Sequence, residues 1–275
     1  MSSSANNPLS YLIIIANSLI YFLLAYFFVV LVNNLFSILL ALPSGFDAVL
    51  YYYGYGLSGE HWNNENIFII FFIGSSITLF VGLFFEYLYV KHRKKISRRK
   101  FFFMWTYILA YTWFFGNIIV GAFFNFGMGA AIRAMDLPLF VRLIFAFVGL
   151  AFLGYMGYNA QKNVVISANS YFTQIPAYRI GIFFLLQVIL PAIFGVGIVA
   201  LFKMPHLADF DYLDMYVLMC VFLFIIGLLI RFPRLKTLQF KRKNDRFALS
   251  TGPLLILIVV ILILRVGLMN GLQIS

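Results

Sequence analysis

Two ionisable side chains stand inside long apolar stretches of this sequence, and they are the first candidates for chemistry. Glu86 lies in a stretch of Phe, Leu and Tyr residues, and Arg265 lies in a stretch of Ile, Leu and Val residues. A charge in an apolar medium is costly, so it usually has a function or a partner. A basic segment follows Glu86 and could pair with it, while Arg265 is close to the end of its stretch and could reach outward to water. Each residue is therefore a candidate site with a structural alternative.

Uncharged polar residues form a second group of candidates. Asn33 and Asn34 are adjacent amides late in the first apolar stretch, Ser37 follows one helical turn later, and Asn117 and Gln187 stand in later stretches. Inside a membrane such side chains usually hydrogen-bond to a neighbouring helix. They line a path for a small solute only when they converge on one cavity.

Pro191 follows Gln187 by four residues and precedes Gly195 and Gly197. A proline within a helix removes one backbone hydrogen bond and kinks the helix. Broken helices of this kind form binding sites near the midplane of some transporters. In other membrane proteins the kink only shapes the packing, so Pro191 is a candidate for either role.

Small residues recur at four-residue spacing in the second apolar stretch, at Gly74, Thr78 and Gly82. This spacing places all three on one face of a helix, where a second helix can approach closely. The pattern predicts a packing face, with a groove for a cofactor or a lipid as the alternative.

Residue sets for metal-dependent or nucleophilic catalysis are missing from the sequence. Cys220 is the single cysteine, which excludes a CxxC pair. The three histidines lie outside the apolar stretches, and there is no HExxH motif and no P-loop. We therefore predict no catalytic residue, no metal and no cofactor, and the question of enzymatic activity stays open with a preference against it.

The composition requires lipid as the solvent. Hydrophobic residues make up 63% of the chain and charged residues 11%, whereas soluble domains carry about 25% charged residues. About 20 apolar residues in a helix cross the hydrocarbon core. Seven stretches approach or exceed that length, at residues 11–42, 67–90, 101–126, 140–158, 180–202, 215–230 and 248–269.

These stretches predict an all-α, polytopic transmembrane helical bundle of about seven spans, forming a single integral membrane domain over residues 1–275. Spans must be helical because lipid offers no partner to unpaired backbone groups. As one helix, residues 11–42 would be about 48 Å long, against a hydrocarbon core of about 30 Å. The first span must therefore be tilted, bend, or leave the membrane near Asn33 and Asn34.

The charges are unevenly distributed between alternate connections. Residues 91–100, 162–179 and 231–246 contain 16 of the 20 Lys and Arg residues, and seven of the nine acidic residues lie in the other connections. Because basic residues collect in cytoplasmic connections, the N-terminus is predicted to be cytoplasmic and the C-terminus external. The net charge of +11 then favours contact with anionic lipid headgroups, and nucleic-acid binding is not predicted. The high Phe, Ile, Asn and Tyr content suggests a bacterial genome and hence the inner membrane.

Residues of about 20–85 carry a resemblance to a known family. Asn33-Asn34-Leu35-Phe36-Ser37 comes late in a long apolar helix, Pro43-Ser44-Gly45-Phe46 opens an extended loop, and a glycine-led span begins at Gly74. This order resembles the M50 (site-2-protease-like) membrane metallopeptidases, which carry HExxH at the first of these places.

The departures from that family concern its catalytic residues. Asn33, Asn34 and Ser37 stand where the family has two histidines and a glutamate, so zinc would lose its imidazole ligands and water its general base. The family's later Asp-Gly signature is absent from the apolar stretches, and the charge pattern places Asn33 near the opposite face of the membrane. The resemblance implies a catalytically inactive, metal-less relative.

Three hypotheses about function follow. The first is a non-enzymatic membrane protein that acts as a subunit or scaffold of a complex with other membrane proteins. The second is a transporter or channel for a small solute, based on Asn33, Asn34, Asn117, Gln187 and Pro191. The third is an inactive M50-like protein.

Overall fold

Eight helices account for most of the chain in a computed structural model that describes residues 8–59, 62–125, 127–206, 212–230, 237–240 and 245–274. Six of the helices are long and apolar enough to cross a membrane, which makes the chain a multi-pass membrane protein by composition. They are α1 (Pro8–Ala41), α2 (Asn64–His92), α3 (Lys100–Phe123), α5 (Leu139–Ile166), α6 (Ala177–Lys203) and α7 (Tyr212–Ile230). The short helix α4 spans Met128–Ala134, and α8 spans Thr251–Gly267.

The seventh predicted span corresponds to a shorter helix than expected. Residues 248–269 were predicted as one span, but α8 is a 17-residue apolar helix that ends in a π-helical turn at Ile263–Gly267. At 1.5 Å per residue this helix is about 25 Å long, slightly below the thickness of the hydrocarbon core. In contrast, α5 extends well beyond the predicted residues 140–158.

The first span is one continuous helix of 34 residues, about 51 Å long. It continues past Asn33 and Asn34 and ends at Ala41, before a single 3-10 turn at Leu42–Ser44. The helix is therefore unbroken at the amide pair, and a length of about 51 Å still requires that it tilt, bend or extend out of the membrane.

Two small antiparallel sheets correct the prediction of an all-α fold. Strands β1 (Asp47–Leu50) and β2 (Tyr55–Ser58) form a hairpin, and β5 (Leu272–Ile274) pairs with β1 with Val49 opposite Gln273. Strands β3 (Gln174–Ile175) and β4 (Leu238–Gln239) form the second sheet. These strands have two to four residues, and the pairings of β5 with β1 and of β3 with β4 join segments far apart in sequence. The local sequence pattern therefore did not predict them.

The sheets hold alternate connections together at two ends of the bundle. The first sheet, at one end, joins the connection after α1 to the C-terminal segment, and Tyr52 donates a hydrogen bond to the Met204 carbonyl after α6. The second sheet, at the other end, joins the connections after α5 and α7. The ammonium of Lys100, at the start of α3, donates to Asn169 at this same end.

Helix α3 lies at the centre of the bundle. Of the most apolar 18-residue stretch of α3, 78% is buried, whereas the corresponding share of α5 is 17%. Aromatic side chains make most of the central contacts, including the edge-on contact of Phe22 on α1 with Trp105 on α3, whose ring centroids are 5.0 Å apart. Such pairs are stabilising beyond the area that they bury.

Candidate functional site

A polar group in the interior joins α1, α3 and α6 around the hydroxyl of Ser18. This hydroxyl accepts hydrogen bonds from the Trp105 indole N–H at 2.9 Å and from the Gln187 side-chain amide at 3.1 Å, and it donates to the Gln187 backbone carbonyl at 2.5 Å. Ser18, Trp105 and Gln187 are all fully buried. Sequence analysis identified Gln187 but missed Ser18 and Trp105.

Pro191 gives a reason for the bond between Ser18 and Gln187. Proline has no N–H to offer to the carbonyl four residues earlier, which is that of Gln187. The Ser18 hydroxyl donates to this carbonyl from a neighbouring helix, next to a π-helical segment at Leu185–Ile189. Membrane helices tolerate proline when a hydroxyl from another helix satisfies the exposed carbonyl.

Replacing Ser18 with alanine is expected to lower the free energy of unfolding by about 1–2 kcal/mol, because three polar groups lose one partner. A Pro191→Ala substitution restores a backbone N–H near the Gln187 carbonyl, so Ser18→Ala should cost less in that background. Unfolding by a denaturing detergent in mixed micelles measures both costs. Equal costs in the two backgrounds would contradict the role given to Ser18.

The adjacent amides of α1 lie near the end of the bundle that carries the first sheet. The Asn33 side-chain amide donates to the Asn34 side-chain oxygen at 3.2 Å. Gly74 on α2 packs so closely on α1 that a Cβ atom there would lie 2.6 Å from the Ser37 hydroxyl oxygen. The structure thus places Ser37 against Gly74, one helical turn after the Asn33–Asn34 pair.

The surroundings of these residues are largely closed. The Tyr55 hydroxyl of β2 faces Ser37, and burial raises the pKa of Tyr55 to about 12, so this phenol is protonated at neutral pH. The Asn33 side-chain oxygen is buried and accepts no hydrogen bond from the described residues. Asn34 lines a cavity of about 20 Å³, which has room for roughly one water molecule.

The spaced small residues of α2 contact two helices instead of one. Gly74 faces Ser37 on α1, but a Cβ atom at Gly82 would lie 2.6 Å from the ring of Tyr111 on α3. Between them, Thr78 is buried and donates within its own helix to the Ser75 carbonyl at 2.7 Å. These contacts are those of a packing face shared by two neighbouring helices.

Glu86 has a neutral hydrogen-bond partner on α3. The Tyr111 hydroxyl donates to a carboxylate oxygen of Glu86 at 2.5 Å. The glycine at position 82, one turn earlier, leaves the room that the Tyr111 ring occupies. Sequence analysis suggested a cation of the basic segment as the partner of Glu86. The partner in the structure is the phenol of Tyr111 on the neighbouring helix.

Asn117 and Arg265 each bond to backbone at separate places. The Asn117 amide donates to the Trp113 carbonyl at 2.8 Å, and its oxygen lies against Gly127, whose φ of +51° suits glycine. The Arg265 guanidinium donates to the carbonyls of Phe202 at 2.6 Å and Met204 at 2.8 Å. Arg265 therefore satisfies carbonyls at the C-terminal end of α6.

Beside Arg265 is an ion pair that sequence analysis missed. The Lys203 ammonium lies 2.7 Å from an Asp214 carboxylate oxygen, with side-chain exposures of 2% and 15%. The Arg265 guanidinium stacks over the Tyr52 ring, 4.2 Å from its centroid. Cation–π contact and carbonyl bonding together hold Arg265 between α6 and the connection after α1.

Within the described residues, no group of three or more His, Cys, Asp or Glu side chains is placed to hold a metal ion. Comparisons of the chain with protein-family models, curated proteins and solved structures found no match. The predicted site residues thus fall into separate contacts: one around Asn33, one around Gln187, one at Glu86, one at Asn117 and one at Arg265.

Proposed function

We propose that the chain is a non-enzymatic membrane protein that serves as a subunit or scaffold of a larger membrane complex. The observation that carries this proposal is the use of its intramembrane polar groups. Gln187, Glu86 and Arg265 each hydrogen-bond to another helix of the same chain. Polar groups used in this way stabilise one arrangement of helices, which is what a scaffold requires.

A solute pathway would need the same polar groups to share one cavity. Gln187 bonds to Ser18, Asn117 bonds to Trp113, and Asn33 bonds to Asn34, in three separate places. The small-solute transporter hypothesis thereby loses the convergence on which it rested, and the scaffold ranks above it.

The proposed topology has seven crossings, a cytoplasmic N-terminus and an external C-terminus, in a bacterial inner membrane. In support, α8 begins near Asn17, whose side-chain oxygen accepts from the Ser250 N–H, and ends near Phe202 at the opposite end. Cysteines introduced at Lys95 and Phe240 are expected to react with an impermeant reagent from the same side. Labelling from opposite sides would overturn this orientation.

A kinship with inactive M50-like proteins is a second proposal, and one contact favours it. Gly74, which lies inside α2 because that helix begins at Asn64, packs directly on Ser37 in the segment that resembles the metallopeptidase motif. An extended hairpin connects the two spans. On this proposal, the buried Asn33 and Ser37 occupy the place of the family's metal ligands.

Co-purification in a mild detergent tests the scaffold proposal. Two differently tagged copies of the full chain, expressed together, separate association with other proteins from self-association. We expect each copy to elute with the same partners in constant ratio and at a mass above that of one chain. Elution as a monodisperse monomer without partners would overturn the proposal.

A further inference from the structure

A long apolar groove runs along the outside of the bundle between α1 and α8. Its volume is about 720 Å³, within the range of pockets that hold small ligands. On one side Tyr21, Leu24, Phe28 and Leu31 line it at the three- and four-residue spacing of one helical face. On the other side α8 contributes residues from Gly252 to Leu264.

One end of the groove is cationic. Among the described residues that line it, Arg99, immediately before α3, is the one that is charged, and Phe102 and Phe103 of α3 also line it. Arg98, its neighbour in sequence, carries a second positive charge and lies over the Tyr171 ring, 5.6 Å from the centroid. Arg99 forms no ion pair with a carboxylate of the described residues, since the ion pair found among them is Lys203–Asp214.

The groove follows most of the length of α8. Residues 21–31 of α1 rise about 15 Å and residues 252–264 of α8 about 18 Å, at 1.5 Å per residue. The groove begins at Arg99 and continues toward the end of α8 at which Arg265 bonds to the Phe202 carbonyl. A molecule with its head at Arg99 would therefore place its chain along this wall of α8.

We propose that this groove binds an acyl chain of one anionic phospholipid, with the phosphate at the Arg99 guanidinium. Arginine binds phosphate through several N–H groups at once, and Arg98 adds positive charge at the same end. The apolar walls match the chain, and the absence of a described carboxylate beside Arg99 leaves its charge for the phosphate. This site is independent of the scaffold proposal, since it needs no protein partner.

Native mass spectrometry of the full chain from nanodiscs tests this site, with equal amounts of phosphatidylglycerol and phosphatidylcholine. We expect one retained phosphatidylglycerol per chain, with at least a tenfold preference over phosphatidylcholine. Arg99→Gln should reduce that preference about tenfold, while Lys94→Gln, an exposed cation in the same basic segment that does not line the groove, should leave it within about twofold.

A second pair of variants tests the groove itself. Ile256 lines it and Leu255 does not, although both are exposed residues of α8. Ile256→Trp should fill the groove and lower the retention of both lipids about tenfold, and Leu255→Trp should change neither. Equal retention of the two lipids by the unmodified chain, retained free fatty acid instead of phospholipid, or equal effects of the two tryptophans would each overturn the proposal.

Discussion

The Lys203→Met substitution is expected to lower the free energy of unfolding by about 3–5 kcal/mol, because it leaves the Asp214 carboxylate in a buried place without its cation. The two charged atoms are 2.7 Å apart, and the Lys203 side chain is only 2% exposed. Lys203 ends α6 and Asp214 lies in the first turn of α7, so the pair is at one end of the bundle and the cost of an unpaired charge comes from its burial. Unfolding by a denaturing detergent in mixed micelles measures the change.

The double substitution Lys203→Met with Asp214→Leu separates pairing from packing. Removing both charges leaves no unpaired ion, so the double variant should recover most of the stability that Lys203→Met loses. Lys162→Met is the matched control, because Lys162 is an exposed lysine on α5, and it should change stability by less than about 0.5 kcal/mol. A double variant no more stable than the single one would show that the ion pair is not the source of the loss.

The main helices could be predicted from the sequence because lipid leaves the backbone no other option. Runs of about 20 apolar residues must satisfy their backbone groups internally, so each long run became a helix. The ends were less predictable, as α5 shows by extending to Ile166. Polar residues such as Asn159, Gln161 and Lys162 end the hydrophobic pattern there without ending the helix.

The two sheets could not be predicted from local pattern. β5 has three residues and pairs with β1 more than 200 residues earlier. A strand of two or three residues has no period to detect, and its partner is determined by which helix ends meet. The placement of connections at each end therefore had to come from the structure.

The intramembrane polar residues could be identified from sequence, but their partners could not. The missing N–H of Pro191 predicts that the Gln187 carbonyl needs a donor, yet nothing in the pattern points to Ser18, 169 residues away. Likewise, Glu86 required a partner, and the cations nearest to it in sequence suggested an ion pair. Its hydrogen-bond donor is instead Tyr111 on the adjacent helix. Such pairings depend on helix rotation, which one sequence does not reveal.

The glycine spacing in α2 was recognised, but a closer glycine contact lies between α5 and α7. A Cβ atom at Gly157 would lie 2.1 Å from the Phe224 carbonyl oxygen, far inside contact distance. A Cβ atom at Gly227 would lie equally close to the Gly154 carbonyl oxygen. Because both contacts involve backbone, which cannot move aside as a flexible side chain does, the two helices touch at these glycines.

Gly154 and Gly157 provide a matched pair for testing this contact. Gly157→Leu is expected to destabilise the protein by about 3 kcal/mol, because α5 and α7 must separate to accommodate the side chain. A Cβ atom at Gly154 meets nothing within 4 Å, so Gly154→Leu should be neutral or slightly stabilising, since leucine favours helix more than glycine does. The same mixed-micelle unfolding assay compares them. Equal losses from the two substitutions would mean that the bulk of the added side chain, and not the Gly157–Phe224 contact, determines the cost.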